Sequence, residues 1–267
     1  MVQPLFILGL VIVMLAQGMA VPQRDMLRWP GHGREMLFFA LLRLILLPAL
    51  ALLMGRCLMR ALEIGMLNGT GLVMAALAPP ATAGMALAAV SGGSVLLLGR
   101  MAGLGTVISF LVMPPLLAAL VMHAPIEQGY AVVLLLAGLP FCIGLLLRQR
   151  AAGLEPRLAM LASVATGAMM LTSLLLGWDG ETPALALAMA LMLIAALAVT
   201  ALGARLLRLP GDSVQSMVLT LLIPVVAMPI ALVGGYFNVA AAAALLGIMG
   251  YALALLLVIL RLRCNRA

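Results

Sequence analysis

Apolar runs of about 20 residues follow one another from Leu5 to Leu262, and each is long enough to cross the roughly 30 Å of hydrocarbon in a bilayer. Hydrocarbon offers a backbone no water to bond with. A segment there must satisfy its own N–H and C=O groups, and runs apolar on every side do so as helices. Composition closes the soluble route. The chain is 66% hydrophobic and 9% charged, against about 45–50% and about 25% for a soluble domain. No loop between runs is long enough to fold separately. The expected fold is therefore an all-α polytopic membrane protein, residues 1–267 forming a single transmembrane domain.

Nine spans are expected, near Pro4–Ala20, Met36–Met54, Met66–Val90, Val95–Met122, Tyr130–Leu147, Leu158–Trp178, Pro183–Leu207, Ser213–Gly235 and Val239–Leu262. The first ends in AQGMA, which resembles a signal-peptide cleavage site. No basic segment precedes it, so it is kept as a span. Arginine placement orients the set. With the N-terminus outside, the inner loops hold Arg24, Arg28, Arg34, Arg148, Arg150, Arg157, Arg205 and Arg208, and the inner tail holds Arg261, Arg263 and Arg266. The outer loops hold only Arg56 and Arg60, beside the acidic Asp179 and Glu181. The C-terminus then lies in the cytoplasm. Fifteen basic residues, all arginine, with abundant alanine, glycine and leucine, point to a GC-rich bacterial gene and an inner membrane. The net charge of +7 is scattered over these loops and is no nucleic-acid footprint.

Two spans carry a break. The third, LAPPATAGMALAAVSGGSV over Leu77–Val95, has Pro79-Pro80 followed by Gly92-Gly93. The eighth, TLLIPVVAMPIALVGGYFNV over Thr220–Val239, has Pro224 and Pro229 followed by Gly234-Gly235. Proline removes a backbone donor and drives the residue before it out of helical geometry. Paired interruptions in corresponding places of two halves point to a transporter's mid-bilayer binding site. Spans one to four pair with six to nine, and that odd offset inverts the second copy, an inverted repeat with two broken crossing helices. The breaks are expected to meet back to back and leave unpaired main-chain atoms facing a solute.

These residues resemble the bile acid:sodium symporters and their arsenite-exporter relatives, over about Leu5 to Leu262. LAPPATAGM, the following GGS and the helix ending VMPPLL are similar to the family's P-G-G-T-A-S-N crossover. TLLIPVVAMPIALVGGYFN is similar in place and length to its second crossover, E-x-G-x-Q-N-S-G. The resemblance implies a nine-helix form lacking the leading helix. A panel of spans one, five and six would stand beside a core of spans two to four and seven to nine. It also implies a site. Thr82 keeps the first crossover's threonine, followed by Ala83, while Gly84 and Met85 stand where serine and asparagine bind sodium. Leu98 and Ala102 fall near positions that usually carry hydroxyls. Thr220 stands in place of a glutamate, and Pro224 and Val225 in place of glutamine and asparagine. Sodium prefers hard oxygen ligands, and nearly all of these are missing. No cofactor is expected, and sodium, the ion the resemblance implies, lacks its usual ligands.

Other residues carry candidate chemistry. Arg43 and Arg100 lie inside spans, where a charge is costly and marks function by default. Each either faces the cavity to attract an anion or snorkels to the headgroups. Thr82 and Thr220 adjoin a broken backbone, and Thr106 lies on the helix after the first break. All eight carboxylates lie in loops or at span ends, so no proton relay is visible at depth. Cys57, Cys142, Cys264, His32 and His123 form no ligand pattern. The motifs of zinc proteases, serine hydrolases and nucleotide-driven pumps are absent, and no enzyme is expected. The function that fits is secondary transport of a small organic anion or amphipathic solute, with the lipid bilayer and that solute as partners. An exporter or facilitator of the arsenite or auxin carrier type, and a non-transporting sensor or assembly protein, are the alternatives. Neither the substrate nor the oligomeric state is legible.

Overall fold

A computed structural model describes residues 2–22, 31–233 and 236–264. Arg24, Asp25, Arg28, Gly234, Gly235 and Arg266 lie outside the described residues. The rest is helical: α1 (Val2–Ala20), α2 (Gly33–Ala61), α3 (Met66–Ala76), α4 (Gly84–Ser91), α5 (Val95–Met122), α6 (Ile126–Arg150), α7 (Glu155–Gly177), α8 (Thr182–Leu206), α9 (Gly211–Leu222), α10 (Ala227–Leu232) and α11 (Phe237–Cys264). Among the described residues, seven of these, namely α1, α2, α5, α6, α7, α8 and α11, are long and apolar enough to cross a membrane alone. The two stretches expected to be broken are instead the short pairs α3–α4 and α9–α10.

The prolines account for the breaks and for their absence elsewhere. Ile223, before Pro224, ends α9 at φ −117°, ψ 76°, outside helical geometry. Gly92 closes α4 at φ +76°, a left-handed conformation that glycine adopts without strain. Pro114 and Pro115 sit in α5 without stopping it. Pro115 cannot donate to the carbonyl of Leu111, and the Tyr130 hydroxyl of α6 donates to that carbonyl instead, at 3.0 Å. Three wide π-turns lie near prolines: Leu42–Leu46 before Pro48, Ala118–Met122 after Pro115, and Leu134–Gly138 before Pro140. The first and third of these make room where the proline ring would strike the preceding turn.

Glycines set the closest helix contacts. A Cβ on Gly18 of α1 would stand 2.1 Å from the Phe141 carbonyl oxygen of α6, and one on Gly144 would stand 2.2 Å from that of Leu15. At the other side, a Cβ on Gly250 of α11 would stand 2.0 Å from the Leu222 carbonyl oxygen at the end of α9. Small residues at such seams let backbones approach where lipid offers no hydrophobic drive. α1 packs on α6, α7 and α10, while α11 packs on α3, α7 and α8. Half the α5 span or more is buried (56%), against 17% for α7. On α7, Met160, Val164, Leu171 and Leu175 are 59–72% exposed, as suits a lipid-facing surface.

The crossing of the two broken segments

Both breaks lie at one point and bond to each other. Pro80 and Pro224 form an isolated antiparallel bridge. Val225 N donates to Pro79 O at 2.6 Å, and Ala81 N donates to Ile223 O at 2.7 Å. The expectation that the breaks meet is therefore met. The expectation that they leave main-chain atoms unpaired is not, and the carbonyls of the first break show why. Leu77 O accepts from the Ser109 hydroxyl of α5 at 3.1 Å. Ala78 O accepts from Arg43 Nη1 of α2 at 2.9 Å. Pro79 O accepts from Val225, and Pro80 O accepts from Gln17 Nε2 of α1 at 2.7 Å. Four successive carbonyls thus draw donors from four different helices or breaks. Without these donors each would go unsatisfied inside the bundle, at a cost comparable to a lost hydrogen bond.

Gln17 was not among the residues singled out in the sequence, and it is the most fully used side chain at the crossing. Its Nε2 also reaches the Thr106 hydroxyl at 3.4 Å, and its Oε1 accepts from Thr82 N at 2.9 Å and from the Thr82 hydroxyl at 3.0 Å. An amide has two donors and two acceptor sites, and all four are engaged. The available signal was a lone amide near the end of an otherwise apolar span, and it was obscured by the resemblance of AQGMA to a cleavage site.

Arg43 lies in the first π-turn of α2 and is 5% exposed, so it does not snorkel. Its Nη2 lies 3.4 Å from Thr220 O. That carbonyl would ordinarily bond the N–H four residues on, but the residue there is Pro224, which has none. One guanidinium therefore bridges the ends of α3 and α9, and its partners are two main-chain carbonyls rather than a carboxylate. Arg43 Nε has no hydrogen-bond partner among the described residues. A pocket of about 30 Å³ beside it is lined by Leu47, Ala78, Leu193, Leu221 and Pro224. That is room for a water or two and far below the ~300 Å³ of a ligand cleft.

The other anticipated residues separate. Thr82 and Thr106 meet through Gln17, and Val225 and Pro224 belong to the bridge. Thr220 contributes its carbonyl, because its hydroxyl is turned back to Met217 O at 2.6 Å. Ala83 is exposed at the start of α4. A Cβ on Gly84 would find Leu98 and Ile223 side chains at 3.4–3.6 Å, ordinary contact distance. Met85 Sδ packs over Gly99, away from the bridge. Arg100 is 3% exposed, buried like Arg43. Gly105 is what lets Pro80 in, for a Cβ there would stand 2.5 Å from the proline ring.

Polar ties close both ends of the bundle. At one, Asn68 of α3 donates to Glu181 Oε2 at 2.8 Å and to Asp179 Oδ2 at 3.3 Å, and Asn238 of α11 donates to Asp179 Oδ2 at 3.0 Å. At the other, Gln215 Nε2 donates to Ser91 O at 2.9 Å, Arg261 donates to the Gln215 carbonyl oxygen, and the Ser216 hydroxyl takes a bond from Ser94 N at 3.1 Å.

A family model described as the Sodium Bile acid symporter family matches residues 7–179, more than half of the 267-residue chain. The matched stretch takes in Gln17, Arg43 and the whole first break, and stops before the second. No curated protein matches the chain.

Proposed function

Because the chain belongs to the sodium bile acid symporter family, we propose that it is a secondary transporter moving a small organic anion or amphipathic solute past the crossing of α3–α4 with α9–α10. The observation that carries this reading is the bridge between the breaks, Val225 N to Pro79 O and Ala81 N to Ile223 O. Two interrupted segments joined antiparallel at their prolines are the arrangement alternating access uses at a mid-bilayer site. The antiparallel sense supports the inverted repeat. Counting each broken pair as one crossing makes nine, with the N-terminus outside and the C-terminus in the cytoplasm.

Transport then consists of α2–α5 and α8–α11 rocking against α1, α6 and α7. The packing of α1 on α6 and α7 fits that grouping, and α7 packs as closely on α11 across the division. Gln17 ties the two groups together, so its bonds to Pro80 and Thr82 are made in the closed conformation and released in the open one. The start of α4, where Ala83 is exposed beside Thr82, offers the anion a helix N-terminus. Sodium would need oxygen ligands, and the Gln17, Thr82 and Thr106 oxygens are engaged with each other. The movement therefore runs on the solute's own gradient. The test is uptake of a labelled bile acid and of a panel of small organic anions into proteoliposomes, with and without a sodium gradient. Equal rates in both are expected, and a strict sodium requirement would overturn the uncoupled reading.

One observation favours a second reading. Gln17 and Arg43 spend their hydrogen bonds on the crossing itself, and the pocket beside Arg43 is only about 30 Å³, as a sensor or assembly protein that kept the fold without transport would have it. That protein would pass no solute in either direction, and Thr82→Ala would leave its behaviour unchanged.

A further inference from the structure

We infer that Arg43 is a resident cation of the crossing: its guanidinium permanently occupies a monovalent-cation site formed by the carbonyl ends of α3 and α9. The inference deepens the transport reading, since it gives a reason for the site to work without a dissociable ion, and it rests on geometry that stands apart from flux. A helix C-terminus carries about half a negative charge, from carbonyls with no partner further along. Here two such ends are aimed at one place. Ala78 O, just past α3, and Thr220 O, in the last turn of α9, both receive N–H groups of Arg43, at 2.9 and 3.4 Å. One positive charge offsets two half charges, and among the described residues no carboxylate takes part.

Charge rather than hydrogen-bond geometry is what the site uses. Arginine offers five N–H donors in a fixed fork. Among the described residues two bonds are made, neither is part of a bidentate pair, and Nε has no partner. The site is also chemically suited to a bare ion, since main-chain carbonyls are hard oxygen ligands. The prolines make it so. Pro224 strips Thr220 O of its ordinary donor, and the N–H of Thr82, which would ordinarily serve Ala78 O, is taken by Gln17 Oε1 at 2.9 Å. Without the guanidinium, both carbonyls would need another cation or donor.

The experiment measures the melting temperature of purified protein while sodium chloride, methylguanidinium chloride or N-methylglucamine chloride is titrated in, for the wild type and for Arg43→Gln and Arg43→Lys. The wild type and Arg43→Lys should melt at the same temperature in all three salts. Arg43→Gln, which keeps a donor but no charge, should melt lower and recover by roughly 5 °C or more with sodium or methylguanidinium near saturation, but not with the bulky N-methylglucamine. An Arg43→Gln protein as stable as the wild type and indifferent to salt would overturn the inference. Should Arg43→Gln fail to fold in every salt, Arg43→Lys decides. A folded lysine variant supports the charge, whereas an unfolded one makes the guanidinium's shape the requirement and overturns the inference. The same proteins in liposomes separate the two readings. Absence of flux from the wild type would end the transport proposal, and the melting series would still judge Arg43.

Discussion

Replacing Gln17 by leucine leaves Pro80 O and Thr82 N without the partners they now have. A buried group so orphaned costs about 1–3 kcal/mol, so Gln17→Leu is expected to destabilise the protein by roughly 2–5 kcal/mol in thermal or denaturant unfolding. Thr106→Val should cost less than about 1 kcal/mol, because its bond to Gln17 is long at 3.4 Å and its hydroxyl otherwise bonds its own helix at Ala102 O. Equal effects from the two would mean that Gln17 is not the side chain holding the first break. Thr82 was legible in the sequence because it adjoins a double proline. Gln17 was not, because no local pattern ties it to a carbonyl 63 residues away.

Helices here are held at fixed distances by a few glycines, and the sequence marks those glycines no differently from the rest. Gly18→Ala or Gly144→Ala would drive a methyl group into a main-chain carbonyl of the facing helix. Either is expected to cost about 1–3 kcal/mol or more, since the α1–α6 seam has no flexible side chain to yield. Gly167→Ala is the control. It lies on the exposed face of α7 with nothing within 4 Å, and should be neutral or stabilise by up to about 1 kcal/mol. If Gly18→Ala melts with the control, the close packing of α1 on α6 is wrong. Span positions were readable to a few residues because length and apolarity are local properties. Val95–Met122 is found with the anticipated bounds, while α2 extends past its anticipated end at Met54 to Ala61. The double prolines divide differently, since Pro79-Pro80 break a span while Pro114-Pro115 do not. At the unbroken pair, Tyr130 on another helix supplies the donor that Leu111 O lacks.

On the scale of the whole molecule, the arginines predict a direction of insertion. A fluorescent protein fused after Ala267 should fold and glow in the cytoplasm, and a reporter active only outside the membrane should be silent there. The opposite pattern would invert the orientation drawn from the loops. The two end networks predict how the bundle opens. Asp179 and Glu181 tie α3 and α11 at one end, while at the other Gln215 ties α9 to the end of α4 and Ser216 ties it to Ser94 at the start of α5. Ser216→Ala removes the bonds to Ser94 and leaves both the Gln215 bond to Ser91 and the crossing bridge in place. It should speed exchange of the Ser94 amide without slowing solute flux. A variant that loses flux with unchanged exchange would place Ser216 in the solute's path instead.

The amino-acid order alone determined that this chain lives in a membrane, where its helices run, and where two of them must stop. Apolar length and a missing proline N–H act on the residues that carry them. Only the tertiary structure decided what those stops are for. The breaks were expected to expose bare carbonyls, and the folded chain instead fills them from Gln17, Arg43, Ser109 and each other. A carbonyl without water accepts whichever donor packing brings within about 3 Å, and packing is a property of helices far apart in the chain.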